Sequence, residues 1–361
     1  MKKLLVIILC AVLLGCTVAL LFNRYLHPDM RFFLHAAEVS DQWEQSMRER
    51  AHGEPLFIFA GGSETRSSID PQILLDSYGI RSVNAAMNAG FGIQNNLLSA
   101  LRYARPGDTI VAHITTDAFI GQTDIGSRSA IYRRGIQAFT TPGIGLPWGE
   151  LLTLFKCNSS DLNLYAAKRI TMPDRIYRYD QQTYIQPSGL MDIRYTQAQA
   201  TPSPTPGHQA FRLPQVAEPF ARFSSAFQQL CQDKGVKLWI WRAPIFAHES
   251  YQVQAALEAL AMVRLGYQVL RDDEFNVTGD ARCFSDLTYH SGPKGVRRNT
   301  NRLALHLLHP EFWTEESLTF WLAEHGYNPD GSPRTSSANI GAPASGTLQS
   351  ETRPGGLELF C

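Results

Sequence analysis

The hydrophobic pattern changes character along the chain. It opens with an unbroken apolar run, "LLVIILCAVLLGCTVALLF" (Leu4–Phe22), preceded by Lys2 and Lys3. As a helix such a run is about 28 Å long, enough to cross the hydrocarbon core of a bilayer. From Asp29 to Arg50 the spacing turns amphipathic and helical, a stalk or first helix leading away from the run. Short apolar stretches then alternate with helical ones. Strands are predicted at 55–60 ("PLFIFA"), 81–87 ("RSVNAAM"), 108–114 ("DTIVAHI"), 237–243 ("KLWIWRA") and 267–272 ("YQVLRD"). Helices are predicted at 71–79, 93–104, 217–234, 251–265 and 294–308. Buried strands that alternate with helices imply a parallel sheet covered on both faces.

The alternation fails between 119 and 215, a stretch rich in Tyr, Arg, Pro and Gly that ends in "TPSPTPG"; a segment that long without a period reads as an insert. Residues 329–356 are small and polar and read as disordered. The expected organisation is a membrane anchor at 1–24, a stalk or first helix at 25–54, an α/β domain at 55–310 carrying the insert, and a largely disordered extension at 311–361.

Charge and cysteine usage narrow the function. Thirty-three basic and thirty-three acidic residues cancel over 361 positions without a basic stripe, which argues against phosphate-driven nucleic-acid binding. Of six cysteines, Cys157, Cys231 and Cys283 fall in the expected folded part, with no CxxC and no zinc-ligand spacing, so neither a metal nor another cofactor is expected. The lysines ahead of the apolar run favour a cytoplasmic N-terminus, placing the domain outside the cytoplasm, in the periplasm or at the cell surface. A cleaved signal peptide and a lipoprotein box at "LLGC" (ending at Cys16) are the alternatives. The apolar run continues through Thr17–Phe22 beyond that box, which favours an uncleaved anchor. All three readings export the domain.

Open parallel sheets present their ligands at the carboxyl ends of the strands. "IFAGGSETR" stands at such an end, where glycines allow a sharp turn and Ser63 is exposed as a candidate nucleophile; the plain alternative is a turn. A serine hydroxyl needs a base to take its proton. "CFSDLTYHSGPKG" offers His290, with Asp286 four residues earlier to orient it, in a loop that the same sheet brings to the same edge. Arg66 and "RSAIYRRG" (128–135) are candidates for holding an anionic or carboxylate group, or else ordinary surface charge.

"GGSETRSSIDP" and "DLTYHSGPKG…RNT" together resemble the first and last motif blocks of the SGNH (GDSL-like) hydrolases. More narrowly, they resemble the membrane-anchored branch of DltD-like D-alanine transfer and polysaccharide O-acetylation proteins. The resemblance covers about residues 55–115 and 220–308. It implies a three-layer α/β/α flavodoxin-like domain with Ser63 as nucleophile, His290 as base and Asp286 as its orienter. "NAAMNAGFG" (84–92) is similar to the block that supplies an oxyanion glycine, which implies Gly90 beside the Ser63 amide, with Asn88 as a further donor. In the block after the third strand the family carries Gly-x-Asn-Asp; here it is "HITTDAF", so an expected oxyanion donor is missing. The implied function is acyl transfer or ester hydrolysis, usually of acetyl groups, on a cell-surface or secreted carbohydrate polymer. The implied partner is a membrane-bound O-acyltransferase. A non-catalytic assembly or polysaccharide-binding subunit is the alternative, and a free esterase a further one.

Overall fold

The computed structural model describes residues 2–25, 28–87, 92–116, 183–193, 211–285 and 290–334. Its centre is a five-stranded, wholly parallel sheet formed by β1 (Phe57–Ala60), β2 (Ser82–Asn84), β3 (Thr109–Ala112), β6 (Lys237–Ile240) and β8 (Gln268–Val269) in the order β2-β1-β3-β6-β8. The register aligns Ala60 with Ala112 and Ala112 with Ile240, so the strands end on one line. Among the five sheet strands in chain order this is 2-1-3-4-5, an arrangement compatible with a flavodoxin-like fold.

Strand alternation divides the core in two. Ile58, Ala60, Ile110, Ala112, Ile240 and Val269 face α5 (Ile93–Tyr103), α6 (Glu218–Asp233) and α7 (Tyr251–Arg264). Phe59, Val111, Trp239 and Trp241 face α4 (Pro71–Tyr78) and α8 (Pro293–Leu308). The ends of α4 follow from its sequence. Asp70 accepts from the Gln72 amide, Pro71 stands in the first turn, and Gly79 closes the helix in the left-handed conformation at φ 68°.

Helix α2 (Pro28–Ala51) belongs to the domain. Trp43 Nε1 donates to the Ser82 carbonyl at 2.8 Å, and Met47 is buried with Leu56 and Val83. Arg48 forks onto Asp108, whose carboxylate also accepts the amides of Leu56 at 2.8 Å and Arg105 at 2.7 Å. Two antiparallel strands, β4 (Thr183–Ile185) and β5 (Met191–Ile193), form a hairpin out of the expected insert; Ile185 and Met191 bury against Ala36 and Val39 of α2. A parallel pair, β7 (Ile245–Phe246) and β9 (Val277–Thr278), extends the carboxyl edge.

The expected end of the folded region at 310 is too early. Residues 311–334 are ordered around α9 (Glu315–Glu324), which starts in a capping box between Thr314 and Ser317. Trp313 stacks on Phe275 with centroids 5.3 Å apart, while Leu318 and Leu322 are fully buried, so this segment completes the core. Residues 335–361 lie outside those described.

Helix α1 (Lys2–Tyr25) carries the N-terminal apolar run, and Leu4–Leu9, Leu13 and Leu14 are all exposed, Leu5 at 70%. Among the described residues no helix is long and apolar enough to cross a membrane. The side chains of α1 are described only in part, and the anchor reading rests on the full sequence of Leu4–Phe22.

Candidate active site

The nucleophile corner is built from glycine geometry. Gly61 sits at φ +154°, and a Cβ there would overlap the Thr65 hydroxyl and press on His113, so the chain turns at this point only without a side chain. Ser63 begins the single helical turn α3 (Ser63–Arg66), where main-chain amides have no intrahelical acceptor. The Met87 amide donates to the Gly61 carbonyl at 3.0 Å, which draws the chain leading to Asn88 alongside the corner. Asn88 and Gly90, the expected oxyanion donors, lie outside the described residues.

His290 arrives from the far end of the sequence. The Ser285 amide donates to its carbonyl and the Gly292 amide to the Cys283 carbonyl, both at 2.9 Å, closing the intervening loop. Gly295, one turn into α8, lets that helix press on the 3₁₀ turn Ala281–Cys283; a Cβ would overlap the Cys283 carbonyl. His290 Nε2 then lies 3.0 Å from Ser63 Oγ, hydrogen-bond distance across 227 residues of sequence. Asp286 lies outside the described residues.

A buried polar seam holds the two loops together. Ser68 Oγ meets Ser291 Oγ at 2.8 Å, Asn299 Nδ2 donates to Ser291 Oγ at 2.9 Å, and the Asp70 amide donates to Thr300 Oγ1 at 3.0 Å. Ser188, from the β4–β5 hairpin, donates to the Asp70 carboxylate at 3.0 Å. Sequence reasoning missed all of these partners. Only Asp70 carries a local signal, as an Asp before Pro at a helix start.

Arg66 is a correction. Expected as a weak substrate contact, it is 1% exposed and faces inward. Its guanidinium donates to Ala86 O at 2.8 Å, Ala36 O at 3.1 Å, Ser40 Oγ at 2.7 Å, and more weakly to Asn84 O and Gly189 O at 3.3 Å. Burial pulls its pKa down to about 10, so it stays a cation at neutral pH. It joins α2, the end of β2 and the β4–β5 hairpin to the nucleophile turn, and its fork is spent on these buried acceptors.

Two further ionisable groups flank the serine. Glu64 is buried, and its Oε1 accepts the Gly62 amide at 2.9 Å. Burial raises its pKa, opposed by its own and the Gly62 amide and then by the charge of His290. His113 directly follows β3 (Thr109–Ala112). Its Nδ1 accepts the Ala243 amide at 3.2 Å, which leaves the proton on Nε2, 4.0 Å from Glu64 Oε1. Burial, then the nearby Arg242 cation, lowers its pKa to about 3, so the ring is neutral. Among the described residues no group of three or more His, Cys, Asp or Glu side chains is placed to hold a metal.

A serine hydroxyl at hydrogen-bond distance from an imidazole, at the carboxyl edge of a parallel sheet, is a pair able to run nucleophilic acyl chemistry. No protein-family model, curated protein or solved structure matches the chain.

Proposed function

We propose that the protein is an extracytoplasmic serine acyltransferase or esterase of SGNH type, acting on acyl esters of a carbohydrate polymer through an acyl-enzyme. The observation that carries this reading is the 3.0 Å approach of His290 Nε2 to Ser63 Oγ. In the proposed cycle Ser63 Oγ bonds to the acyl carbon while its proton passes to His290 Nε2, which returns it to the departing alcohol. A sugar hydroxyl or water then attacks the acyl-enzyme, gives its proton to the same nitrogen and restores Ser63. The Ser63 amide, with Gly90 and Asn88 by resemblance, would hold the oxyanion, and Asp286 would orient His290. The usual acyl group of the branch it resembles is acetyl, supplied through a membrane-bound O-acyltransferase.

Membrane attachment is part of the proposal. A helix that is apolar all round has no aqueous face, and the exposed leucines and isoleucines of α1 meet no protein core. The lysines at its start favour an extracytoplasmic domain.

The test is labelling of the full chain in detergent with a fluorophosphonate, beside Ser63→Ala and His290→Ala. The expected result is one adduct on Ser63, absent from Ser63→Ala and slowed at least about 100-fold in His290→Ala. A folded chain that takes no adduct would overturn the enzymatic reading and leave a non-catalytic subunit of an acylation complex.

A further inference from the structure

We propose that Ser291, held between Ser68 and Asn299, is a positioning residue that sets the approach of His290 to Ser63. The proposal rests on the serine reading above. Two consecutive residues of the base loop meet the nucleophile segment at two points. His290 Nε2 lies 3.0 Å from Ser63 Oγ, and Ser291 Oγ lies 2.8 Å from Ser68 Oγ. A single contact leaves a loop able to pivot about it. Two contacts from neighbouring residues fix its direction as well as its distance.

Backbone hydrogen bonds make each side of this clamp short and stiff. On the nucleophile side the Arg66 amide donates to the Gly62 carbonyl at 3.2 Å, the Ser67 amide to the Ser63 carbonyl at 2.9 Å and the Ser68 amide to the Thr65 carbonyl at 3.2 Å. A shift at Ser68 is therefore carried to Ser63. On the base side Ser291 bridges antiparallel to Phe284, and the Ser285 amide donates to the His290 carbonyl at 2.9 Å. Helix α8 supplies the third partner, since Asn299 Nδ2 donates to Ser291 Oγ at 2.9 Å. The next residue, Thr300, accepts the Asp70 amide at 3.0 Å, which ties the same helix to the end of the nucleophile segment. Ser68, Ser291 and Asn299 are all buried. Replacing such partners by apolar groups of the same shape can be nearly neutral for stability. What the seam adds is direction, because a satisfied buried network specifies one arrangement. It stands one residue from the base and one turn from the nucleophile, where a misplacement of about 1 Å can cost about 100-fold in rate.

The test uses the full chain in detergent micelles with Ser291→Ala, which removes the hydroxyl shared by Ser68 and Asn299. Labelling is followed over a range of fluorophosphonate concentrations, well below the thermal unfolding midpoint of each chain. Mobility of the His290 ring is followed by ¹³C relaxation. Where the unaltered chain labels, the maximal labelling rate decides. It is expected to fall about 10-fold, with the half-saturating concentration unchanged. A contribution to stability alone would lower the unfolding midpoint and leave that rate unchanged, and this result would overturn the proposal while leaving Ser63 as nucleophile. An unaltered chain that never labels would overturn the serine reading instead, and the His290 ring then decides the positioning role. Greater ring mobility in Ser291→Ala is expected, and an unchanged ring would overturn it. Should Ser291→Ala not fold, Ser68→Ala, which leaves Ser291 its Asn299 partner, is measured in the same way with the same outcomes.

Discussion

Arg66 shows how a residue's role depends on where its neighbours come from. Beside a serine in "GGSETR" it reads as a surface cation, because nothing local reveals that α2, β2 and a hairpin about 120 residues later close over it. Its buried donors leave several carbonyls unsatisfied when removed, so Arg66→Ala should destabilise the chain by at least about 3 kcal/mol in urea unfolding. Arg66→Lys, a point charge without the fork, should fall between the two. Loss of fluorophosphonate labelling in these variants should track unfolding, because the side chain itself does not face the serine. Ser63 and His290 were legible for the opposite reason. Each sits in a short motif whose glycines, Gly61 and Gly295, mark a sharp corner and a close helix contact.

At the scale of elements, the helices and strands followed the sequence closely where caps and alternation are local. The strand at 55–60 shortened to β1 (Phe57–Ala60), and the helix at 71–79 ended at Tyr78 before Gly79. Two elements were understated. Helix α2, read as a stalk or first helix, packs on β2 and supplies acceptors to Arg66. A chain beginning at Gly53 should therefore fail to give a cooperative unfolding transition by circular dichroism, whereas one beginning at Pro28 should retain it. Helix α9 was hidden because "EESLTFWLAE" is short and its apolar residues acquire a partner only when α7 is in place.

The Arg48–Asp108 pair joins α2 to the start of β1. Hydrogen bonding to Arg48 and to two amides lowers the Asp108 pKa below its ordinary value despite burial. The stability it contributes is thus present above about pH 4 and lost as pH falls through the depressed folded value. Asp108→Asn should lower the urea midpoint at pH 6 and flatten its decline between about pH 4 and pH 2.

At the scale of the whole molecule, the exposed apolar helix and the α/β domain need different surroundings. The full chain should stay with membranes through an alkaline carbonate wash, and a chain starting at Pro28 should be released; release of the full chain would overturn the uncleaved anchor. The sequence by itself determined the apolar run, the alternation of strands and helices and the two corners bearing Ser63 and His290, because each depends on spacing within one segment. Only the tertiary structure decided that those corners meet at 3.0 Å, that Arg66 is enclosed, and that Glu64 is buried. Parallel strands with crossover helices carry distant segments to one edge, and contacts made there depend on sheet order and helix packing, which no local period encodes.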